Sequence, residues 1–275
     1  MTVVVAIQMA SGPKVSANLL EAERLISNAA AEGAKLVVLP ENFSLMGHDE
    51  ADKLAIKESE SGGEIQSFLS QQAKKYSLWI VGGTIPMASQ DKSKIRAACL
   101  LFNDQGEQVI RYDKIHLFDV NLPDSDEQYI ESETIEPGTD PIVVDTPFGK
   151  LGLAVCYDLR FPELFRDLLD KGMEILAIPS AFTSITGKAH WESLLRARAI
   201  ENQCYVIAAA QGGYHASGRE THGDSMIIDP WGIILNRLSK AAGIVKADID
   251  IERVANVRKT FPAVEHRRIY CKVSS

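Results

Sequence analysis

One cysteine in this chain stands where a protein can present a nucleophile. Cys156 ends the small and apolar run Leu151–Val155, and a polar segment that is typical of a helix start, Tyr157–Glu163, follows at once. A thiol acts as a nucleophile in its thiolate form, which a neighbouring base or cation must favour. The backbone N–H of Tyr157 would be free at such a strand end and could bind an oxyanion. The alternative is a buried core thiol, the usual state of a free cysteine.

Two charged residues end apolar runs in the same manner and are the candidate partners of this thiol. Glu41 follows Leu36–Pro40, and Lys114 follows the predicted strand Val109–Tyr112. A partly buried carboxylate has a raised pKa and can take the thiol proton. A lysine beside carboxylates stays charged and could stabilise an oxyanion, although solvated surface charge is the alternative for both residues. Convergence of the three strand ends in one pocket would make a cysteine hydrolase with a Cys-Glu-Lys triad.

The other cysteines and the histidines indicate no further chemistry. Cys99, Cys204 and Cys271 are predicted to be buried structural thiols, and no C-x-x-C pair occurs. The six histidines contain no H-E-x-x-H arrangement, so we predict no metal and no other cofactor. Free thiols in a chain of this size favour a reducing compartment, and the cytoplasm is the predicted location.

The composition argues against nucleic acids and membranes as partners. The chain has 275 residues, of which 45% are hydrophobic and 24% charged, and its formal net charge is -8. This acidic balance argues against a nucleic-acid or anionic-membrane surface, so an anionic substrate must meet a local basic pocket. No apolar run approaches the ~20 residues of a membrane span, and Met1–Gln8 is predicted to be a first strand rather than a signal peptide.

Strands and helices alternate along the chain and would place the three candidates at strand ends. The hydrophobic patterns predict strands at 3–8, 36–39, 78–84, 174–178, 204–210 and 243–248, helices at 18–31, 63–76, 162–171 and 188–201, and hairpins at 95–112, 142–156 and 225–236. The acidic segment 121–139 is predicted to be a long loop. Because several strands meet through tight hairpins, we expect an α/β fold in four layers, an αββα sandwich with two mixed β-sheets. We expect one domain over 1–275, with an exposed tail from about 261.

Three blocks of the sequence resemble the signature blocks of a known superfamily. They are Leu-Pro-Glu41-Asn-Phe, Tyr-Asp-Lys114-Ile-His-Leu-Phe-Asp119 and Ala-Val-Cys156-Tyr-Asp-Leu-Arg-Phe-Pro-Glu163. In this order they are similar to the nitrilase superfamily of carbon–nitrogen hydrolases, and the resemblance extends over nearly the whole chain. It implies Glu41 as general base, Lys114 as transition-state stabiliser and Cys156 as nucleophile. It also implies the αββα fold, which pairs through an αββα–αββα interface as a homodimer or a higher homo-oligomer.

The resemblance further implies a fourth catalytic residue, a second glutamate in the loop after the lysine. Glu131, which precedes Ser132 and Pro137-Gly138, is the best match. Glu127 and Glu133 lie nearby and remain alternatives for this role, although solvated loop charge is the favoured interpretation of both.

The downstream sequence indicates a branch of the superfamily. Pro179–Gly187 and Gln203–Val206 are similar to the deaminated glutathione amidase branch. This resemblance implies hydrolysis of deaminated glutathione to 2-oxoglutarate and cysteinylglycine through a thioester. The related omega-amidase branch, which acts on 2-oxoglutaramate, is the alternative, as is another aliphatic amidase or nitrilase-type hydrolase.

Four further residues are predicted to bind this small, carboxylate-bearing amide. They are Tyr157, Arg160, Ser180 and Thr183. Arg160 lies one helical turn after the candidate nucleophile, where it either binds a substrate carboxylate or pairs with Asp158 or Glu163.

Overall fold

Two β-sheets face each other, and helices cover their outer sides. The computed structural model describes residues 1–123 and 127–270, so the expectation for Cys271 lies outside the described residues. Within these ranges the strands are, in chain order, β1 (Thr2–Gln8), β2 (Leu36–Val38), β3 (Trp79–Val81), β4 (Ile85–Ala88), β5 (Ile95–Phe102), β6 (Gln108–Asp113), β7 (Asp119–Asn121), β8 (Gln128–Ile130), β9 (Val143–Thr146), β10 (Gly149–Leu153), β11 (Ile175–Ser180), β12 (Tyr205–Ala210), β13 (Gly212–Tyr214), β14 (Glu220–His222), β15 (Ser225–Ile228), β16 (Ile234–Leu238) and β17 (Gly243–Ile249). The α-helices are α1 (Val15–Ala31), α2 (Asp52–Ala55), α3 (Glu64–Tyr76), α4 (Pro162–Asp170), α5 (Ser184–Asn202) and α6 (Ile251–Thr260), and two 3-10 helices cover Glu131–Glu133 and Cys156–Arg160.

The first sheet is mixed, as predicted. Its order is β17-β1-β2-β3-β5-β4, and β6 also pairs with β5. The neighbours β1, β2 and β3 are parallel, whereas the pairings of β17 and β5 are antiparallel. Successive side chains of a strand point to opposite faces. Val4 and Ala6 accordingly pack in the core that the two sheets share, and Val5 and Ile7 pack in a second core with α1 and α3.

The second sheet repeats this plan with the order β16-β15-β12-β11-β10-β9. Its central strands β10, β11 and β12 are parallel, and its outer pairings are antiparallel. Phe165 of α4 and Trp191 of α5 are buried against it. The four layers are therefore αββα, which confirms the predicted sandwich of two mixed sheets. None of the described helices is long and apolar enough to span a membrane.

One predicted strand is shorter than expected because the chain turns at a glycine. The strand expected at 78–84 ends at Val81, and β4 begins separately at Ile85. Gly83 has a φ of +59°, and a Cβ there would clash with the carbonyl group of Pro40. A glycine at this position thus allows the turn after β3 to pack against the residue that precedes Glu41.

Two other expectations about local structure are wrong in part. The segment predicted to be a long loop contains β8 and a 3-10 helix, since β8 pairs with β7, which ends at the first residue of the segment. The helix expected from residue 188 begins at Ser184, because the Thr183 side chain accepts a hydrogen bond from the Thr186 N–H and caps it.

Candidate active site

Cys156 is presented by a strained turn between a parallel strand and a short helix. Two residues separate it from β10, and it begins the 3-10 helix Cys156–Arg160. Its φ is +46°, a left-handed conformation that is costly for a residue with a side chain. The backbone N–H of Val155 is bound by the Asp158 carboxylate, which fixes this turn. The turn places the thiol, which is 7% exposed, at the floor of a cavity.

The other two candidate strand ends converge on this thiol. Glu41 follows β2 after Leu39 and Pro40, and Lys114 follows β6 directly. The Nζ atom of Lys114 lies 2.8 Å from Oε1 of Glu41, and the Glu41 carboxylate interacts with the Cys156 thiol, which lines the same cavity. Both charged side chains are almost completely buried. The solvated alternative for Glu41 and Lys114 is therefore wrong, and the structure brings all three residues together.

Glu131 completes the cluster from the 3-10 helix after β8. Its two carboxylate oxygens each lie 2.8 Å from Nζ of Lys114, and one of them accepts a hydrogen bond of 2.6 Å from the Phe118 N–H. Glu133 is exposed and Glu127 accepts a hydrogen bond from Tyr129, so neither takes this place beside the lysine. The glutamate chosen from its sequence position is the one that contacts Lys114.

The charges of the cluster act on one another with little screening, because their side chains are almost completely buried. Burial alone lowers the pKa of Lys114, but the two adjacent carboxylates raise it well above its ordinary value. Burial alone raises the pKa of Glu41, but the charge of Lys114 and its hydrogen bond outweigh burial and lower it. The expectation of a raised pKa for Glu41 is thus wrong, because Lys114 lies within hydrogen-bond distance. Glu41 is an ionised carboxylate at neutral pH.

The thiol of Cys156 experiences the opposite balance. Burial and then the negative charge of Glu41 raise its pKa well above the ordinary value, against the charge of Lys114 and a hydrogen bond from the Ala181 N–H. In the free protein the proton therefore rests on sulfur, with an ionised acceptor in contact with it. Such a pair can transfer the proton as the sulfur attacks an electrophile.

A buried carboxylate joins the Cys156 turn to the segment that carries Lys114. Asp158 is fully buried and accepts hydrogen bonds from the Tyr112 hydroxyl at 2.6 Å and from the His116 N–H at 3.0 Å. The His116 ring Nδ1 lies 2.7 Å from the same carboxylate. Because Tyr112 and His116 flank Lys114, Asp158 fixes the nucleophile and the ammonium group relative to each other.

Comparison with known proteins identifies the family. The sequence matches the carbon-nitrogen hydrolase family over residues 4–259. The chain belongs to this family. A protein of Synechocystis sp. named deaminated glutathione amidase is 44% identical over 265 residues, which cover 95% of this chain and 96% of that protein.

Solved structures of similar proteins share the fold of this carbon–nitrogen hydrolase. Saccharomyces cerevisiae Nit3, a member of branch 10 of the nitrilase superfamily, is 33% identical with a TM-score of 0.87, and the match covers 98% of this chain and 97% of that one. The Caenorhabditis elegans NitFhit protein is 37% identical with a TM-score of 0.89, and the match covers 97% of this chain and 65% of that longer one. The predicted superfamily and fold are confirmed, and the chain is a hydrolase of carbon–nitrogen bonds.

The cavity of the hydrolase, about 500 Å³ in volume, contains three of the four residues predicted to bind substrate. Tyr157, Arg160 and Thr183 line it. Arg160 lies over the rings of Tyr157 and Phe182, with its guanidinium carbon 5.7 and 5.3 Å from their centres. In the structure Arg160 forms no ion pair with Asp158 or with Glu163. Its guanidinium group instead lies 3.1 Å from the ring Nδ1 of His190. The guanidinium charge is thus not neutralised by either proposed neighbour.

Ser180 is not in the cavity wall. It is the last residue of β11 and fully buried, and its hydroxyl is directed to the carbonyl of Ile178. The prediction that Ser180 binds substrate is contradicted by this position, because the chain turns after Ser180 and presents Ala181 and Phe182 to the cavity instead.

Sequence reasoning missed several charged and aromatic residues of the cavity. They are Glu50, Lys53, Tyr129 and Arg219, together with the rings of Phe118 and Phe182. Tyr129 and Arg219 lie on or beside the short strands β8 and β14, and Glu50 and Lys53 flank the start of the four-residue helix α2. Elements this short have no periodic hydrophobic pattern, so the sequence offered no signal that these residues face the site.

Proposed function

We propose that this chain hydrolyses deaminated glutathione to 2-oxoglutarate and cysteinylglycine through a thioester on Cys156. The observation that supports this most directly is the buried cluster of Cys156, Glu41 and Lys114, in which Glu41 interacts with the thiol and lies 2.8 Å from the ammonium group. Several relatives that cover nearly the whole chain are named deaminated glutathione amidase, including the human protein, which is 43% identical over 265 residues.

The first half of the reaction uses Glu41 as the base. Its ionised carboxylate takes the proton of the Cys156 thiol as the sulfur attacks the amide carbon. The oxygen of the tetrahedral intermediate accepts hydrogen bonds from Lys114 and from the Tyr157 N–H, which has no backbone acceptor among the described residues. The protonated Glu41 then gives its proton to the amide nitrogen, the carbon–nitrogen bond breaks, and cysteinylglycine leaves.

The second half of the reaction releases the acid. Glu41, ionised again, takes a proton from a water molecule whose oxygen attacks the thioester carbon. The same two donors stabilise the second intermediate. Its collapse expels the thiolate of Cys156, which recovers the proton from Glu41 as 2-oxoglutarate departs. We propose that Glu131 acts as a positioning residue that holds Lys114 between the two carboxylates.

The acyl part of the substrate carries a carboxylate that needs a cation in the cavity. Arg160 supplies this cation in our proposal, because its guanidinium group lines the cavity and pairs with neither Asp158 nor Glu163. The aromatic rings of Tyr157 and Phe182 hold the guanidinium plane and cover the carbon chain of the substrate.

An omega-amidase acting on 2-oxoglutaramate is the second candidate function. The same catalytic residues and the same Arg160 serve it, because the acyl group is identical and the leaving group is ammonia. The cavity that Cys156 and Arg160 both line contains every group that this shorter substrate needs.

Replacement of Cys156 by Ala tests the proposal. We expect C156A to lose at least about 10⁴-fold in kcat/KM with both substrates, as removal of a covalent nucleophile does. Its melting temperature should stay close to that of the wild type. Wild-type kcat/KM should be higher for deaminated glutathione than for 2-oxoglutaramate, simple amides and a nitrile. Retained turnover in C156A would contradict the mechanism, and a reversed substrate order would favour the omega-amidase.

We also propose that the chain is one domain and works as a cytoplasmic homodimer or higher homo-oligomer. The family match over residues 4–259 supports a single domain. The free thiols Cys99, Cys156 and Cys204 support a reducing compartment. The exposed rings of Trp231 and Phe261, which pack edge to face, support association with a second copy. Light scattering of the purified protein measures the oligomer size, and a monomer would contradict this part.

A further inference from the structure

The catalytic cavity opens into a wider one. The outer cavity has a volume of about 1040 Å³ and shares Glu50, Lys53, Tyr129 and Arg219 with the inner cavity. These four residues therefore form the junction between the two spaces. Any part of a substrate that extends from Cys156 into the outer cavity passes them.

Two cations stand at this junction, and one of them is already neutralised. Lys53 is paired with Glu50 at 2.5 Å. The charge of Lys53 is the main cause that lowers the pKa of Glu50 to about 2, so Glu50 stays ionised at neutral pH and the pair persists.

Arg219 is the second cation. Its charge also helps to lower the pKa of Glu50, but the two groups are not within ion-pair distance. Its guanidinium carbon lies 5.0 Å from the centre of the Tyr129 ring, and it donates a hydrogen bond to the Ala181 carbonyl. Over residues 1–123 and 127–270 it forms no ion pair, and its buried Nε has no hydrogen-bond partner. A guanidinium group that lies over an aromatic ring, with an N–H group that has no partner among the described residues, is suited to a carboxylate.

The two candidate substrates differ at this junction. They share the 2-oxoglutaryl group, which must lie beside Cys156 and Arg160 in the inner cavity. 2-Oxoglutaramate ends at its amide nitrogen, whereas deaminated glutathione continues for two residues and ends in the glycine carboxylate. This tail has to leave the inner cavity through the junction.

We propose that Arg219 binds the terminal carboxylate of the leaving group and so selects amides with an anionic peptide tail over primary amides. This inference rests on the proposed function and adds to it a residue that determines specificity. Two arginines then divide the two carboxylates of the substrate: Arg160 binds the one on the acyl side, and Arg219 binds the one on the leaving side.

A purely structural role for Arg219 has a different consequence. Arg219 donates to the carbonyl of Ala181, whose N–H contacts the Cys156 sulfur. If Arg219 only held Ala181 in place, its loss would impair both substrates equally, because both use the same nucleophile. The ratio of kcat/KM for deaminated glutathione to kcat/KM for 2-oxoglutaramate therefore tells whether Arg219 determines specificity or only supports Ala181.

The experiment compares R219Q with wild type on both substrates. We expect the ratio of kcat/KM for deaminated glutathione to that for 2-oxoglutaramate to fall about 10- to 100-fold, the loss of one charge-assisted hydrogen-bonded pair. Most of the change should lie in KM for the longer substrate. R219K keeps a cation and should recover part of the ratio. R24Q, which removes an exposed arginine of α1 outside both cavities, is the control for a change of charge. An unchanged ratio in R219Q overturns the inference.

A change in the substrate provides the second test, which needs no variant to fold. In a derivative of deaminated glutathione with glycinamide in place of glycine, the terminal carboxylate is lost. Wild type should hydrolyse it about 10- to 100-fold less efficiently, and R219Q should not distinguish it from the acid. Equal efficiency of wild type with acid and amide overturns the inference while the proposed function stands. Failure of wild type to hydrolyse deaminated glutathione overturns the proposed function and the inference with it.

Discussion

Lys114 is the residue on which the charges of the site depend. Its ammonium group has one carboxylate on each side, at 2.8 Å in both cases, and almost no access to solvent. This arrangement keeps the lysine charged and also keeps Glu41 ionised. A lysine with Glu41 as its sole partner would hold that carboxylate more tightly and would make it a weaker base.

We expect E131Q to lower kcat about 100-fold with a smaller effect on KM, because Glu131 shares the charge of Lys114 but does not contact the reacting atoms. Steady-state kinetics with both candidate substrates measures this. E133Q is the matched control, since Glu133 lies two residues away and is exposed. Equal losses in E131Q and E133Q would show that the contact with Lys114 is irrelevant.

The sequence predicts some single residues of the site and not others. Glu41, Lys114 and Cys156 could be selected because each follows a hydrophobic strand, two of the first sheet and one of the second, and because the blocks around them resemble a known superfamily. The direction of the Glu41 pKa could not be predicted, since it depends on a distance of 2.8 Å to a residue far along the chain. Ser180 lies in the segment Pro179–Gly187 that resembles the amidase branch, and the sequence therefore suggested a role in binding. Its side chain is buried because β11 continues to Ser180, and the sequence does not show where that strand ends.

At the scale of elements, the important contact is the one between the 3-10 helix after β10 and the end of β6. Asp158 makes this contact by accepting hydrogen bonds from the Tyr112 hydroxyl, the Val155 N–H and the His116 N–H. The helix belongs to the second sheet and β6 to the first, so this carboxylate fixes the nucleophile of one sheet against the lysine of the other.

We expect D158N to lower the free energy of unfolding by about 2–4 kcal/mol, because an amide cannot accept all the hydrogen bonds that the buried carboxylate accepts. Chemical denaturation measures this, and kcat/KM should also fall as the thiol and the lysine lose their alignment. D145N, at an aspartate whose side chain is 86% exposed, is the control. Wild-type stability and activity in D158N would refute the role of Asp158 in joining the two sheets.

Elements with a hydrophobic run were predictable, and short strands without one were not. The hairpins of β5 with β6, β9 with β10 and β15 with β16 are confirmed, because alternating hydrophobic runs flank turn residues in each. The strands β7, β8, β13 and β14 have three residues each and were missed. The residues of the junction between the cavities lie on or near such elements, which is why the catalytic cluster could be predicted and the specificity residues could not.

The whole molecule should lose stability in acid. The ordinary pKa of a glutamate is 4.5, and the folded protein lowers the pKa of Glu50 to about 2 and lowers that of Glu41. A carboxyl group with a lowered folded pKa contributes stability above its unfolded pKa and loses it as the pH falls towards the folded value. The stability that these two groups contribute is therefore complete at neutral pH and declines below pH 4.5.

The variant E50Q measures how much of this acid-sensitive stability comes from Glu50 rather than from Glu41. At neutral pH the variant should melt below wild type, because Lys53 loses its partner, and the difference should shrink as the pH falls from 4.5 towards 2. Thermal melts of both proteins across this range measure it. E60Q, at a glutamate whose side chain is 89% exposed, is the control. A melting difference that grows in acid would contradict a lowered pKa for Glu50.

The pairing of β1 with β17 has a consequence for how the chain is made. All strands of the second sheet lie between residues 143 and 238, so that sheet is complete in sequence before β17 is synthesised. The first sheet is not, because β1 pairs along its whole length with β17. During translation β1 therefore keeps one hydrophobic edge unpaired while more than two hundred residues emerge. The last strand to leave the ribosome is the one that closes the first sheet.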